Sequence, residues 1–192
     1  RPDGRDIFQE MQAQGYRVAR SWEKAGALPS GKTLVVAAPG NLPPPSKRGD
    51  VFRQAAVKAL DTLSRNPNGF FLMIEGSNID KAAHSNNLEE MMEELLDFDR
   101  TAGAVLDWAS KHPGTLVVIT ADHNTGAFAL TGGSREQGEI TGRFGSGSHD
   151  GVAVPVYAFG AGSGDFTGIY ENTDIFNKIM NALKKGADKP VR

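Results

Sequence analysis

Carboxylates and imidazoles recur next to apolar segments that have the length of β-strands. In chain order these side chains are Glu75, Asp80, His84, Asp122, His123 and His149. Three of the four histidines in the sequence therefore border the end of a predicted strand. In open α/β sheets ligands bind beyond the carboxyl ends of the strands, so these residues are the candidates for chemistry.

The types and spacings of these residues suit divalent metal ions. Asp80 and His84 stand at i and i+4, which places both on one face of a helix. A carboxylate and an imidazole together suit zinc, and three protein ligands with an open fourth position are typical of a catalytic site. Asp122 and His123 could face a second ion, and Glu75 offers an oxygen suited to magnesium. Two cations about 4 Å apart can hold the attacking and leaving oxygens of a displacement at phosphorus.

Each of these features also has an ordinary structural interpretation. An Asp-x-x-x-His pair is commonly a solvated pair on a helix surface, and an Asp-His dipeptide after a strand is commonly an N-cap with a turn residue. Glu75 could mark the exit of a strand to solvent, and His112, before Pro113 and Gly114, is expected at an exposed helix end. No serine has the local context of a nucleophile. The occurrence of the carboxylates and histidines at successive strand ends nevertheless favours a metal site.

The apolar patterning predicts the elements that would position these residues. Strands are expected at 34–38, 70–74, 116–119 and 152–159, the last interrupted by Pro155, with a short strand at 16–19. Helices are expected at 5–25, 51–64, 79–110 with one break, and 174–184, and an irregular glycine-rich loop at 131–148. Apolar strands that alternate with helices indicate an α/β fold with a largely parallel sheet, covered on both faces. We expect one domain over residues 1–192.

The composition excludes several classes of protein. The chain has 192 residues, 39% hydrophobic and 23% charged, as in ordinary globular domains. A net charge of -2 gives no basic surplus for nucleic acid, and no apolar run is long enough to form a membrane segment. The sequence contains no cysteine, which excludes disulfides, thiolate metal sites and a cysteine nucleophile.

Three segments of the sequence resemble the alkaline phosphatase family. Residues 68–84 are similar to the segment with the magnesium glutamate and two zinc ligands, and residues 116–126 are similar to the strand that ends in Thr-Ala-Asp-His. Residues 148–160 resemble the last metal-histidine segment of the family. The order and spacing also match, so the chain resembles the C-terminal part of the catalytic domain. The resemblance implies a three-layer α/β fold with a largely parallel central sheet, incomplete in this chain.

The resemblance implies a role for each of these residues in a site with two Zn²⁺ and one Mg²⁺. Asp80, His84 and His149 would hold the first zinc, and Asp122 and His123 would supply part of the second. Glu75 would be a magnesium ligand. Lys81 would contact the phosphate of the substrate, and Thr125 would support the Asp122–His123 pair.

The family's nucleophilic serine stands in an Asp-Ser-Ala context, and this chain contains no Asp-Ser dipeptide. The resemblance therefore implies a hydrolase of phosphate monoesters that needs the upstream half of the same protein, with the chain alone inactive. It implies a periplasmic or secreted protein, and it leaves a homodimer open. Two alternatives are a phosphodiesterase or sulfatase-type metallohydrolase, and a metal-binding fragment without catalysis.

Overall fold

Seven α-helices, eight short strands and one 3-10 helix form the secondary structure of the described residues, 2–25 and 31–187, of this computed structural model. These residues divide into two compact units, and the boundary lies between Leu72 and Met73. The expectation that residues 1–192 form one domain stays a prediction.

The first unit combines a small parallel ladder with four helices. Strand β1 (Arg17–Ala19) pairs in parallel with β2 (Thr33–Val35). The helices are α1 (Ile7–Ala13), α2 (Trp22–Ala25), α3 (Pro45–Arg48) and α4 (Val51–Leu63). The helix predicted over 5–25 is therefore interrupted after Ala13, because Gly15 has a φ of 83° and the chain then enters β1. The short strand expected at 16–19 and the helix expected at 51–64 are confirmed.

Two consecutive helices form the centre of the second unit. Helix α5 (Ser77–His84) is followed by α6 (Leu88–Ser110), so the predicted helix with one break is confirmed. The break is followed by an N-cap, because the Asn87 side chain accepts a hydrogen bond from the Glu90 N–H at 3.1 Å. The apolar core between the helices and the neighbouring strands contains Ala82, Ala83, Met91, Ile79, Leu88, Phe128 and Phe144.

Three antiparallel strand pairs complete the sheet structure of the second unit. They are β3 (Leu116–Ile119) with β8 (Tyr157–Gly160), β4 (Asn124–Thr125) with β7 (His149–Asp150), and β5 (Ala129–Ser134) with β6 (Glu139–Arg143). Among the described strands only β1 and β2 pair in parallel. The mixture of helices with small, partial sheets agrees with the incomplete α/β fold that the sequence predicts.

Three predicted segments differ in the structure. Residues 70–74 form no strand, although they are apolar; an apolar run predicts burial but supplies no ladder of backbone hydrogen bonds. The loop expected at 131–148 contains the β5–β6 hairpin, which apolar patterning could not reveal because most of its residues are exposed. The strand expected from residue 152 begins only at Tyr157, after Pro155, because proline has no N–H for a ladder.

The last element among the described residues of the second unit is α7 (Asp174–Ala187), which confirms the predicted closing helix. A 3-10 helix at Ser163–Phe166 lies against it, and Phe166 is buried. The Lys185 ammonium donates to the Asp165 carboxylate at 2.8 Å, and the Lys178 ammonium donates to the Asp165 carbonyl at 2.7 Å. None of the described helices combines the length and the apolar character that crossing a bilayer requires.

Candidate metal centre

Helix α5 presents two of the candidate residues on one face. Ala82 and Ala83 are buried in the core, which turns the opposite side of the helix, with Asp80 and His84, outward. The Asp80 Oδ2 and His84 Nε2 atoms are 3.4 Å apart. The i and i+4 spacing therefore brings the carboxylate and the imidazole together as the sequence predicts.

His149 reaches the same point from strand β7. The antiparallel register with β4 places His149 opposite Thr125. His149 Nε2 is 3.1 Å from His84 Nε2 and 3.7 Å from Asp80 Oδ1. Residues that are 65 positions apart in the sequence thus direct two ring nitrogens at each other beside a carboxylate.

The tautomer of His84 follows from its backbone contact. His84 Nδ1 lies 2.8 Å from the carbonyl oxygen of Gly147, and a carbonyl only accepts, so Nδ1 carries the proton. The Nε2 atom of the neutral ring then directs its lone pair toward Asp80 and His149. A histidine that binds a metal commonly donates its other ring N–H in this way, which fixes the orientation of the ring.

Thr125 links the two parts of the site. Thr125 is buried, and its hydroxyl donates a hydrogen bond to Asp80 Oδ1 at 2.6 Å. Because the hydroxyl has one proton, the His123 Nδ1 atom, at 3.1 Å, donates to its oxygen. The Nε2 atom of His123 is therefore also available as a lone pair in the neutral ring.

His123 joins the same group of side chains. Its ring stacks on the ring of His149, with 3.5 Å between centroids and 23° between planes. Asp80, His123 and His149 each offer a ligand atom, and these atoms lie within 4.8 Å of one another. Four side chains that the sequence analysis singled out, Asp80, His84, His123 and His149, therefore meet in one place.

The other predicted residues are more peripheral. The Asp122 side chain is 86% exposed; one of its oxygens is 3.3 Å from His123 Nε2, and the other accepts from the His123 backbone N–H at 3.1 Å. Lys81 is exposed and its ammonium lies 3.4 Å from Asn78 Oδ1. Glu75 is exposed two residues before α5.

His112 has the structural role that the sequence predicts. It is exposed just beyond the end of α6, where its ring stacks on Trp108 with 3.6 Å between centroids. Its Nδ1 atom lies 2.7 Å from the Trp108 carbonyl oxygen. These contacts close the end of the helix, so His112 serves as a control histidine in the experiments below.

Asp150 and Asn124 contribute to the site in a way that the sequence analysis missed. The Asn124 amide donates to both Asp150 oxygens, at 3.1 and 2.9 Å. The amide of Asn124 and the backbone N–H of Val152 are the main causes that lower the pKa of Asp150. The position of Asp150 next to His149 was the available signal, but its partners depend on the β4–β7 register.

The distances among Asp80, His84 and His149 fit the coordination of zinc. Zinc holds imidazole nitrogen and carboxylate oxygen at about 2.0–2.2 Å in tetrahedral geometry, which separates neighbouring ligand atoms by roughly 3.4 Å. The Nε2 atoms of His84 and His149 are 3.1 Å apart, and they lie 3.4 Å from Asp80 Oδ2 and 3.7 Å from Asp80 Oδ1, respectively. Imidazole with a carboxylate is also the donor set that zinc accepts, so the residues fit the ion.

Comparison with known proteins shows the family to which the chain belongs. A model of the family described as alkaline phosphatase matches residues 1–143. Alkaline phosphatase 4 of Bacillus subtilis is 27% identical over 95% of this chain and 55% of its own length. Streptomycin-6-phosphate phosphatase of Streptomyces griseus is 31% identical over 94% of this chain and 51% of its own length. The chain thus spans about half the length of these relatives.

Solved structures of alkaline phosphatases superpose on the fold of this chain. The alkaline phosphatase of the Antarctic bacterium TAB5 superposes with a TM-score of 0.81 and 32% identity, over 96% of this chain and 56% of that one. A variant of the TAB5 enzyme with magnesium bound in its M3 site gives a TM-score of 0.84, also at 32% identity, over 96% of this chain and 57% of that one. From the family match and these structures together, we conclude that the chain belongs to the alkaline phosphatase family.

Proposed function

We propose that the protein containing this chain hydrolyses phosphate monoesters at a metal centre built on Asp80, His84 and His149. The observation that carries the proposal is the approach of these three side chains at distances that suit a single zinc ion. Membership in the family supplies the reaction class. Streptomycin-6-phosphate phosphatase, a relative named for a phosphorylated substrate, supports a monoester as the substrate of this protein too.

In this proposal Asp122 and His123 supply part of a second zinc site. His123 supports it with a free Nε2 lone pair, and Asp122 with an exposed carboxylate beside that nitrogen. Glu75 would be one ligand of a magnesium ion, Lys81 would contact the phosphate, and Thr125 would hold His123 and Asp80 in place. Bound zinc would supply Lewis-acid chemistry, neutralising charge on the phosphoryl oxygens.

The chain's own residues bind and orient, and the nucleophile is expected from an upstream half of the same protein. None of the aspartates in the sequence is followed by serine. A periplasmic or secreted location belongs to the same proposal. The site proposed here does not require a homodimer.

Hydrolysis of p-nitrophenyl phosphate tests the proposal. We expect little turnover from the chain alone, and zinc-dependent turnover once the upstream half is present. In that complete protein His149→Ala should lower kcat/KM by several orders of magnitude, because groups that act as a unit fail together. His112→Ala, at the end of α6, is the matched control and should retain activity.

Two further substrates separate the alternatives. Faster turnover of bis-p-nitrophenyl phosphate or p-nitrophenyl sulfate than of the monoester would identify the related metallohydrolases instead. Zinc binding with no turnover of any of the three substrates would leave a metal-binding module without catalysis.

A further inference from the structure

The carboxylate of Asp150 receives hydrogen bonds from three separate parts of the chain. The Asn124 amide donates to both oxygens, at 3.1 and 2.9 Å. The Ala127 N–H donates to Oδ2 at 2.9 Å, and the Val152 N–H donates to Oδ1 at 3.0 Å. One side chain of β7 thus ties together β4, the turn that follows β4, and the segment that follows β7.

These bonds compensate for a very short strand pair. Strands β4 and β7 have two residues each, with Asn124 opposite Asp150 and Thr125 opposite His149. So short a ladder fixes a register weakly, and a shift of one residue would turn every side chain to the other face. The bonds from Asn124 to Asp150 specify the register at the pair next to His149.

The turn after β4 is also stabilised by a hydrogen bond to Asp150. Ala127 has a φ of 44°, in the left-handed region that residues with a Cβ rarely adopt. Its N–H donates to Asp150 Oδ2, which holds this conformation in place. The turn directly follows Thr125, whose hydroxyl contacts both Asp80 and His123.

We propose that Asp150 is a positioning residue, which sets the distance between His149 and the Thr125–His123 pair and thereby shapes the metal centre. This inference rests on the proposed function, because it assumes that the centre binds a metal ion. Asp150 would not be a ligand itself, since its two oxygens are already engaged by donors from Asn124, Ala127 and Val152. The hydrogen bonds from the Asn124 amide and the Val152 N–H also lower the pKa of the Asp150 carboxyl group.

Titration with Co²⁺ tests the proposal, because the visible absorption of bound cobalt reports both affinity and coordination geometry. The probe is the metal alone, added to the chain and to its Asp150→Ala variant. Loss of a side chain that orients ligands typically weakens metal binding by about 10–100-fold. We expect a loss of that size together with a changed cobalt spectrum.

Two further variants separate positioning from general stability. Asp165→Asn removes a carboxylate that pairs with Lys185 elsewhere in the same unit, so it should alter the melting temperature but not the spectrum. Asn124→Ala removes the two side-chain hydrogen bonds from Asn124 to Asp150. It leaves the hydrogen bonds that Asp150 accepts from the backbone N–H groups of Ala127 and Val152. It should therefore weaken cobalt binding by less than Asp150→Ala, and it decides the matter if Asp150→Ala fails to fold.

The outcomes distinguish the two proposals. If the unmodified chain binds cobalt and both Asp150→Ala and Asn124→Ala keep its affinity and spectrum, the positioning role is wrong while the metal centre stands. If the unmodified chain binds no cobalt, the metal centre is wrong, and the positioning role is wrong with it.

Discussion

At the scale of single residues, the site depends on which ring nitrogens carry protons. The Gly147 carbonyl fixes the proton of His84 on Nδ1, and the Thr125 hydroxyl does the same for His123. Both assignments leave Nε2 as the nitrogen of the neutral ring that has a lone pair. In the proposed metal centre, these contacts would orient the imidazoles so that Nε2 faces the cation.

Thr125→Val tests this part of the account. The substitution keeps the shape of the side chain but removes the hydroxyl that contacts Asp80 and His123. We expect zinc affinity to fall by about 10–100-fold, the usual effect of losing a group that orients a ligand. Competition with a chromophoric chelator would measure it. Thr125→Ser keeps the hydroxyl and should bind nearly as well as the unmodified chain; equal affinity for the valine and serine variants would contradict the role of the hydroxyl.

The sequence singled out four side chains that the structure brings together, but it did not predict the contacts that link them. The spacing of Asp80 and His84 was enough to place them together, because one helix carries both. His149 could be tied to them only through the family resemblance, because nothing local relates β7 to α5. Gly147 and Asp150 escaped prediction for the same reason, since their roles come from contacts between segments that are distant in sequence.

At the scale of elements, the tight approach of α5 to the turn after β4 limits side-chain size. Gly126 is buried with a φ of 82°, and a Cβ there would come within 2.8 Å of the Phe144 ring and 3.1 Å of the Ala83 carbonyl oxygen. Both the backbone conformation and the space therefore require glycine at this position.

Gly126→Ala should accordingly lower the free energy of unfolding by about 1–3 kcal/mol, the usual cost of overpacking. Urea denaturation followed by circular dichroism would measure the change. Gly103→Ala is the control: Gly103 is exposed within α6 and a Cβ there meets nothing within 4 Å. That variant should be more stable by about 0.5–1 kcal/mol. A fall in stability at Gly103 as large as at Gly126 would contradict the argument.

The elements themselves were predictable where the local pattern decides them. Helices α4, α5, α6 and α7 and strand β3 follow from periodicity and composition. The β5–β6 hairpin did not, because its strands are rich in exposed polar and glycine residues and have no alternating apolar face. Residues 70–74 show the reverse error, since an apolar run there does not form a strand.

At the scale of the whole molecule, several large apolar side chains of the second unit are exposed. Tyr157 is 64% exposed, Phe176 66%, and Ile169 fully. Exposed large apolar side chains are the groups that an interface with another protein segment buries. The matched relatives are about twice as long as this chain. We therefore interpret the exposed surface as the part of the domain that the proposed upstream half would cover.

Calorimetric titration with zinc tests the central claim most directly, because it asks whether Asp80, His84 and His149 bind one ion together. We expect one tight event in the unmodified chain, and His84→Ala should abolish it because only two ligands remain. His123→Ala and the control His112→Ala should both retain it. Tight binding that survives His84→Ala but disappears in His123→Ala would contradict the account and assign the ion to Asp80, His123 and His149 instead.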